Sequence, residues 1–236
     1  PSLAIGNFSN EMLALYDNEG AGFFIDSAPT SAVGRQSLLT LAFGTLFFDF
    51  DLDSFPDIFV ANGHVEDEIQ KVQERVTYEQ APHLFRNLGA GRFDDVAPQS
   101  PALSVPIVAR GAATADFDGD GDLDVLVTTK GGPAKLYRND GADGRQAIHL
   151  DLVGGAGSNI DGYGARITVD VGGNVQTAWA RAAHSYCSQS MKTMTFGIGS
   201  APQADEIVIY WPSGKISRLS AVPAGSRLTV REVEAG

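Results

Sequence analysis

Residues 116–124 read Asp-Phe-Asp-Gly-Asp-Gly-Asp-Leu-Asp, DFDGDGDLD, five carboxylates in nine positions. Acidic runs of this density are ordinarily solvated and disordered, because like charges repel and few apolar neighbours offer a core. This run has apolar flanks instead: Gly111-Ala112-Ala113-Thr114-Ala115 precedes it and Val125-Leu126-Val127-Thr128-Thr129 follows. The β-branched stretch after the acids predicts a strand, so the carboxylates fall in a tight connection between two strands. Calcium takes roughly six to eight oxygen ligands from alternating positions of such loops. With Asp116 as position one, the side chains of Asp116, Asp118, Asp120 and Asp124 stand at positions one, three, five and nine. Gly121 at position six permits a sharp turn, and Asp122 at position seven offers its carbonyl.

An EF-hand begins with the same spacing of acids and the same glycine, but it closes on a bidentate Glu at position twelve. Here that position is Val127, inside the expected strand. The loop therefore closes early, through position nine, with strands on both sides.

The pattern recurs. Asp49-Phe50-Asp51-Leu52-Asp53-Ser54-Phe55-Pro56-Asp57 places carboxylates at the same four positions, Asp49, Asp51, Asp53 and Asp57, with Phe55 at position seven to give a carbonyl. Downstream of the two loops stand Leu84-Phe85-Arg86-Asn87-Leu88-Gly89 and Leu136-Tyr137-Arg138-Asn139-Asp140-Gly141, and a third copy reads Leu15-Tyr16-Asp17-Asn18-Glu19-Gly20. Each unit is a set of short strands with an acidic loop in its first connection, and self-similarity of this period points to a repeat architecture. Arg86 and Arg138, at equal places, read as strand-end residues that pair locally.

These residues resemble the FG-GAP or VCBS repeats of integrin-like β-propellers, over about residues 1–145. The resemblance implies one four-stranded blade per repeat, with Ca²⁺ held in the first loop of each, hence two Ca²⁺ sites here. In that register Pro1 falls at position eight of a further loop, so the chain is expected to begin in mid-blade, as a fragment or processed product. Some two and a half blades cannot close a ring, and their strand edges predict further blades from the same protein or from a partner subunit.

Between Val60 and Leu84 the second repeat is fifteen residues longer than the third. Apolar residues at 65, 69, 72 and 76 have helical spacing and predict a short amphipathic helix. His64 and His83 bracket it and read as surface or hydrogen-bonded residues.

After Gly144 the repeat stops, and strands are expected over 147–153, 165–171, 175–182, 192–196, 206–211, 215–219 and 227–231, a β-sandwich-like pattern. Ser158-Asn159-Ile160-Asp161-Gly162-Tyr163-Gly164-Ala165-Arg166, Ser188-Gln189, Phe196-Gly197-Ile198-Gly199 and Ile209-Tyr210-Trp211-Pro212-Ser213-Gly214 resemble the ASPIC/UnbV domain. That family includes the acidic secreted protein of cartilage and many bacterial exported proteins. Cys187 in the Tyr-x-Ser-Gln stretch departs from its pattern. The sequence thus describes an all-β chain: C-terminal propeller blades over 1–145, then a β-sandwich-like domain over 146–236.

Composition agrees. The 236 residues are 43% apolar, with 27 glycines and 11 prolines, which suits a loop-rich all-β chain. Nine of the 29 acids lie in the two loops, so two bound Ca²⁺ would bring the net charge from −12 to −8. A net acidic chain without a basic cluster argues against nucleic acid or an anionic membrane as partner, and no apolar run approaches the roughly 20 residues of a membrane helix. The single Cys187 forms no internal disulfide and reads as a quiet thiol. Gly162-Tyr163-Gly164 lacks the third glycine of a dinucleotide loop and reads as a turn, and Trp211 reads as a buried strand-end residue.

Two functional readings stand. One is an exported, extracellular or periplasmic, calcium-stabilised binding or scaffold module that meets a protein or glycan partner. The other is an enzyme or biosynthesis-associated protein whose chemistry lies on blades outside this chain, since no catalytic constellation is evident within it.

Overall fold

The structure, a computed structural model, describes residues 2–141 and 144–233. Its first part is three antiparallel sheets stacked side by side. The first holds β1 (Leu3–Ile5), β2 (Ala14–Gly20) and β3 (Phe23–Asp26), and a short helix α1 (Ala32–Ser37), capped by the Ser31 side chain, leads onward. The second has four strands in chain order, β4 (Ala42–Phe48), β5 (Asp57–Asn62), β6 (His83–Asn87) and β7 (Phe93–Asp95). The third holds β8 (Ala109–Ala115), β9 (Asp124–Thr129) and β10 (Lys135–Tyr137). The acidic runs are the β4–β5 and β8–β9 connections.

Alternation explains the stacking. Along β5, Ile58 and Val60 point to one side and pack with Leu13 and Leu15 of the first sheet. Phe59 and Ala61 point to the other side and pack with Ala112, Val125 and Val127 of the third. A strand buried on both faces needs an uninterrupted apolar run, and Ile58-Phe59-Val60-Ala61 supplies it.

The second part is a two-sheet sandwich. Strands β11 (Gln146–Val153), β12 (Arg166–Val171), β13 (Asn174–Trp179), β14 (Met194–Gly199), β15 (Gln203–Tyr210), β16 (Ile216–Pro223) and β17 (Arg227–Arg231) form sheets of order β14-β11-β17 and β13-β12-β15-β16. Only the β11–β17 pairing among these is parallel. Inward positions alternate along the strands, Ile148, Leu150 and Leu152 on β11 meeting Ile167, Val169, Ile207 and Ile209 from the other sheet. Trp211 is buried at the end of β15 and donates from Nε1 to Ser217 Oγ at 2.8 Å. Gly162 and Gly164 both have positive φ, 67° and 92°, in keeping with the turn expected there.

One expected element is different. The insertion contains a single 3₁₀ turn, Ile69–Lys71, and no amphipathic helix. Of its four apolar residues Ile69 and Val76 are buried, whereas Val65 and Val72 are exposed. The ends explain why: His64 N donates to Tyr78 O at 2.9 Å, which ties the segment into a closed loop. A twelve-residue helix would hold its ends about 18 Å apart. His64 Nδ1 accepts from Glu66 N at 3.1 Å and His83 Nδ1 pairs with Asp95 at 2.7 Å, so both histidines are hydrogen-bonded.

The sandwich sits on the stacked sheets. Met191 N donates to Thr114 O, Gly199 N donates to Leu52 O, both at 2.9 Å, and the Tyr186 ring meets Phe43 edge-on. The contact to Leu52 brings it against the first acidic loop.

Candidate metal centre

Both loops are built alike. In each, positions four and six have left-handed backbone: Leu52 (φ 56°) and Ser54 (φ 78°) in the first, Gly119 (φ 80°) and Gly121 (φ 104°) in the second. Curled in this way, the backbone directs its N–H groups onto its own carboxylates. Asp49 accepts from Asp53 N at 3.0 Å and Ser54 N at 2.8 Å, and Asp116 accepts from Gly119 N at 2.8 Å. Position five repeats the device, with Asp53 accepting from Phe55 N and Asp120 from Asp122 N.

Position nine has a role that spacing alone did not reveal. Asp57 accepts from Phe50 N at 3.0 Å with one oxygen and from Asn87 N at 2.7 Å with the other. Asp124 does the same with Phe117 N at 2.8 Å and Asn139 N at 2.9 Å. This carboxylate fastens the start of the loop to the end of the third strand of its sheet. Asn87 and Asn139 complete the fastening, each accepting from the glycine two residues on and donating to a loop carbonyl, Pro56 O and Phe50 O respectively. The shared Arg-Asn-x-Gly element was the visible signal for this.

The carboxylates converge in both loops. Oxygens of Asp49, Asp51 and Asp57 lie within 4.8 Å of one another, all three residues buried, and so do those of Asp116, Asp118 and Asp120, of which the latter two are exposed. Asp53 and Asp124 stand outside these groups. Phe55 is exposed and lies at the loop rim, and Asp122, expected to matter through its carbonyl, has its carboxyl buried with Oδ1 unpartnered. Burial, reinforced by neighbouring acids, pushes the carboxyls of Asp49 and Asp122 up to about 7 and that of Asp57 up to about 8. Partial loss of solvation also raises the carboxyls of Asp53 and of the exposed Asp118 from their ordinary value, with Asp120 adding to the effect on Asp118.

Arginines answer part of this charge. Arg86 on β6 meets Asp51 at 2.6 Å and Asp53 at 3.8 Å, and Arg138 meets Asp140 at 3.0 Å and Asp118 at 3.9 Å. These are the local pairs expected of strand-end arginines. Two more come from far along the chain: Arg145 reaches Asp51 at 2.9 Å, and Arg227 of β17 reaches Asp116 at 2.7 Å.

The architecture now has a sequence counterpart. A family model of the FG-GAP-like repeat matches residues 49–127, and one of ASPIC and UnbV matches residues 155–236. The chain carries FG-GAP-like repeats followed by an ASPIC/UnbV domain. No curated protein matches it in sequence. The FG-GAP match begins on Asp49, so both acidic loops lie inside it. Their donors fit a hard divalent cation: carboxylate oxygens converge from alternating positions, and Asp51 Oδ1 and Asp122 Oδ1 are buried without a partner.

Proposed function

We propose that the chain is part of an exported, calcium-binding β-propeller module that serves as a binding or scaffold protein. The convergence of three carboxylates within 4.8 Å in each of two loops carries the calcium reading, because such charge needs a counter-ion to stay ionised together. Asp116, Asp118 and Asp120 would hold one ion, and Asp49, Asp51 and Asp57 the other. The ion would supply positive charge that holds the inner two strands of a blade together. Extracellular modules bind Ca²⁺ at roughly 10⁻⁴ to 10⁻³ M, which suits export, and among the described residues no helix is long and apolar enough to cross a membrane. For the binding role, a cleft of about 650 Å³ between the blades and β13, edged by Phe47, Phe55, Trp179 and Arg181, offers a surface to a protein or glycan. Calorimetric titration with Ca²⁺ is expected to show saturable binding that Asp120→Ala weakens at least tenfold. Saturating Ca²⁺ at a hundred times Kd should add about 2.7 kcal/mol of stability, and absence of both effects would overturn the reading.

Further blades are the first partners. Leu3 and Ile5 align with Ile58 and Val60, and with Val125 and Val127. The inner four are covered by a neighbouring sheet, yet Leu3 and Ile5 are 49% and 47% exposed. On the far side Leu126, which aligns with the buried Phe59, is 45% exposed. Each bare face is the one that a repeat of the same kind covers elsewhere in the stack. Native mass measurement of this chain alone should therefore show self-association, reduced by Leu3→Glu, and a monodisperse 24.9 kDa species would argue that no blade belongs there.

A further inference from the structure

The first loop already holds cations of the protein's own. Two guanidiniums converge on one oxygen, Asp51 Oδ2: Arg86 Nη2 at 2.6 Å and Arg145 Nη1 at 2.9 Å. The Asp51 side chain is only 6% exposed, so these pairs are weakly screened. Arg145 donates as well to the Asp51 carbonyl at 2.8 Å. It stands immediately before β11, in the segment that joins the blades to the sandwich.

We propose that Arg145 and a divalent cation compete for Asp51, so that filling the first loop releases the segment joining blades to sandwich. This rests on the calcium reading above. A doubly charged ion among Asp49, Asp51 and Asp57 would lie against two guanidiniums that share Asp51 Oδ2, and like charges at such separations repel by several kcal/mol at protein-interior screening. One arginine has to yield. Arg86 sits on β6, paired to β5 and β7 and held between Asp51 and Asp53. Arg145 belongs to no strand, and both of its loop contacts are to Asp51 alone. Arg145 is therefore the one displaced. In the second loop the cations lie elsewhere: Arg138 is 3.9 Å from Asp118, and Arg227, 2.7 Å from Asp116, belongs to β17, so an ion enters there without moving the joining segment.

Occupancy and displacement are measured separately. In the full chain carrying Asp118→Asn, which weakens the second loop, calorimetric titration with CaCl₂ reports on the first. Adding Arg145→Gln should raise its Ca²⁺ affinity about tenfold, within the usual range of coupling between linked equilibria, whereas Arg145→Lys, which keeps the charge, should raise it much less. Amide hydrogen exchange over residues 144–146 should speed up severalfold on adding Ca²⁺, and in the Arg145→Gln protein it should be fast with or without Ca²⁺. Unchanged affinity in Arg145→Gln, or exchange that Ca²⁺ leaves alone or slows, would overturn the competition while leaving calcium binding in place. Failure of every variant to bind Ca²⁺ would remove both.

Discussion

The two acidic loops share a backbone but not a setting. The second, Asp116–Asp124, has glycines at both left-handed positions and stands open, with Phe117, Asp118 and Asp120 exposed. The first, Asp49–Asp57, makes the same turns with Leu52 and Ser54, although a left-handed conformation costs a non-glycine residue about 1 kcal/mol or more. The sandwich touches the second loop at Asp116, through Arg227 and Met191, but packs on the turn itself of the first. Gly199 N donates to Leu52 O, Ser54 Oγ donates to Gly197 O at 2.9 Å, and the Leu52 side chain is 2% exposed. The approach is so close that a Cβ on Gly197 would lie 2.2 Å from Asp49 Oδ2. One repeat element thus has two settings: an open acidic loop in the third blade and a docking surface for the sandwich in the second.

What the loops share should matter most for stability. Asp57 and Asp124 each accept two backbone N–H groups, one from the start of the loop and one from the end of the third strand or just beyond it, so Asp57→Ala and Asp124→Ala strand two donors apiece. With about 1–3 kcal/mol for each unsatisfied buried group, either change should cost roughly 3 kcal/mol by chemical denaturation in the absence of Ca²⁺. A cost below about 1 kcal/mol would mean that position nine acts only as a metal ligand.

A smaller, pH-dependent effect separates the loops from ordinary acidic surface. Burial pushes the carboxyls of Asp49, Asp57 and Asp122 up to about 7, 8 and 7, from an ordinary value of 3.8. Between those limits the folded state holds more protons than the unfolded one, so stability falls as pH rises. Without Ca²⁺ the melting temperature should drop from pH 5 to pH 8. With saturating Ca²⁺ the drop should shrink, because the ion takes the deprotonated form. A flat profile in chelator would show that these carboxyls are not buried as they are here.

Much of this could be read from the chain. The two DxD frames, the Leu-x-Arg-Asn element and the alternation from Ala147 onward indicated an all-β chain of FG-GAP-like repeats and a sandwich, since those signals are local and periodic. Three things were not legible. The helix expected at 65–76 had the right spacing, but the His64–Tyr78 closure that prevents it is a contact between residues outside the pattern. The fastening by Asp57 and Asp124 was hidden because a carboxylate that accepts backbone N–H and one that ligates a metal occupy the same position. Arg145 and Arg227 meet Asp51 and Asp116 across 94 and 111 residues, and no local signal announces a pairing of that range.

The mildest comparison exchanges the left-handed residues at position four. Gly119 has no neighbour within 4 Å of where a Cβ would stand, so Gly119→Ala meets only backbone strain and should cost about 1 kcal/mol. Leu52→Gly relieves that strain but removes a side chain buried against the sandwich, worth about 2–3 kcal/mol. The net should be a loss of about 1–2 kcal/mol. Both changes are therefore expected to destabilise, although one introduces a side chain at this position and the other deletes it. Denaturation of the two variants decides the matter. If Leu52→Gly proved stabilising, the strain at Leu52 would outweigh its burial, and the first loop would be an ordinary repeat loop on which the sandwich merely rests.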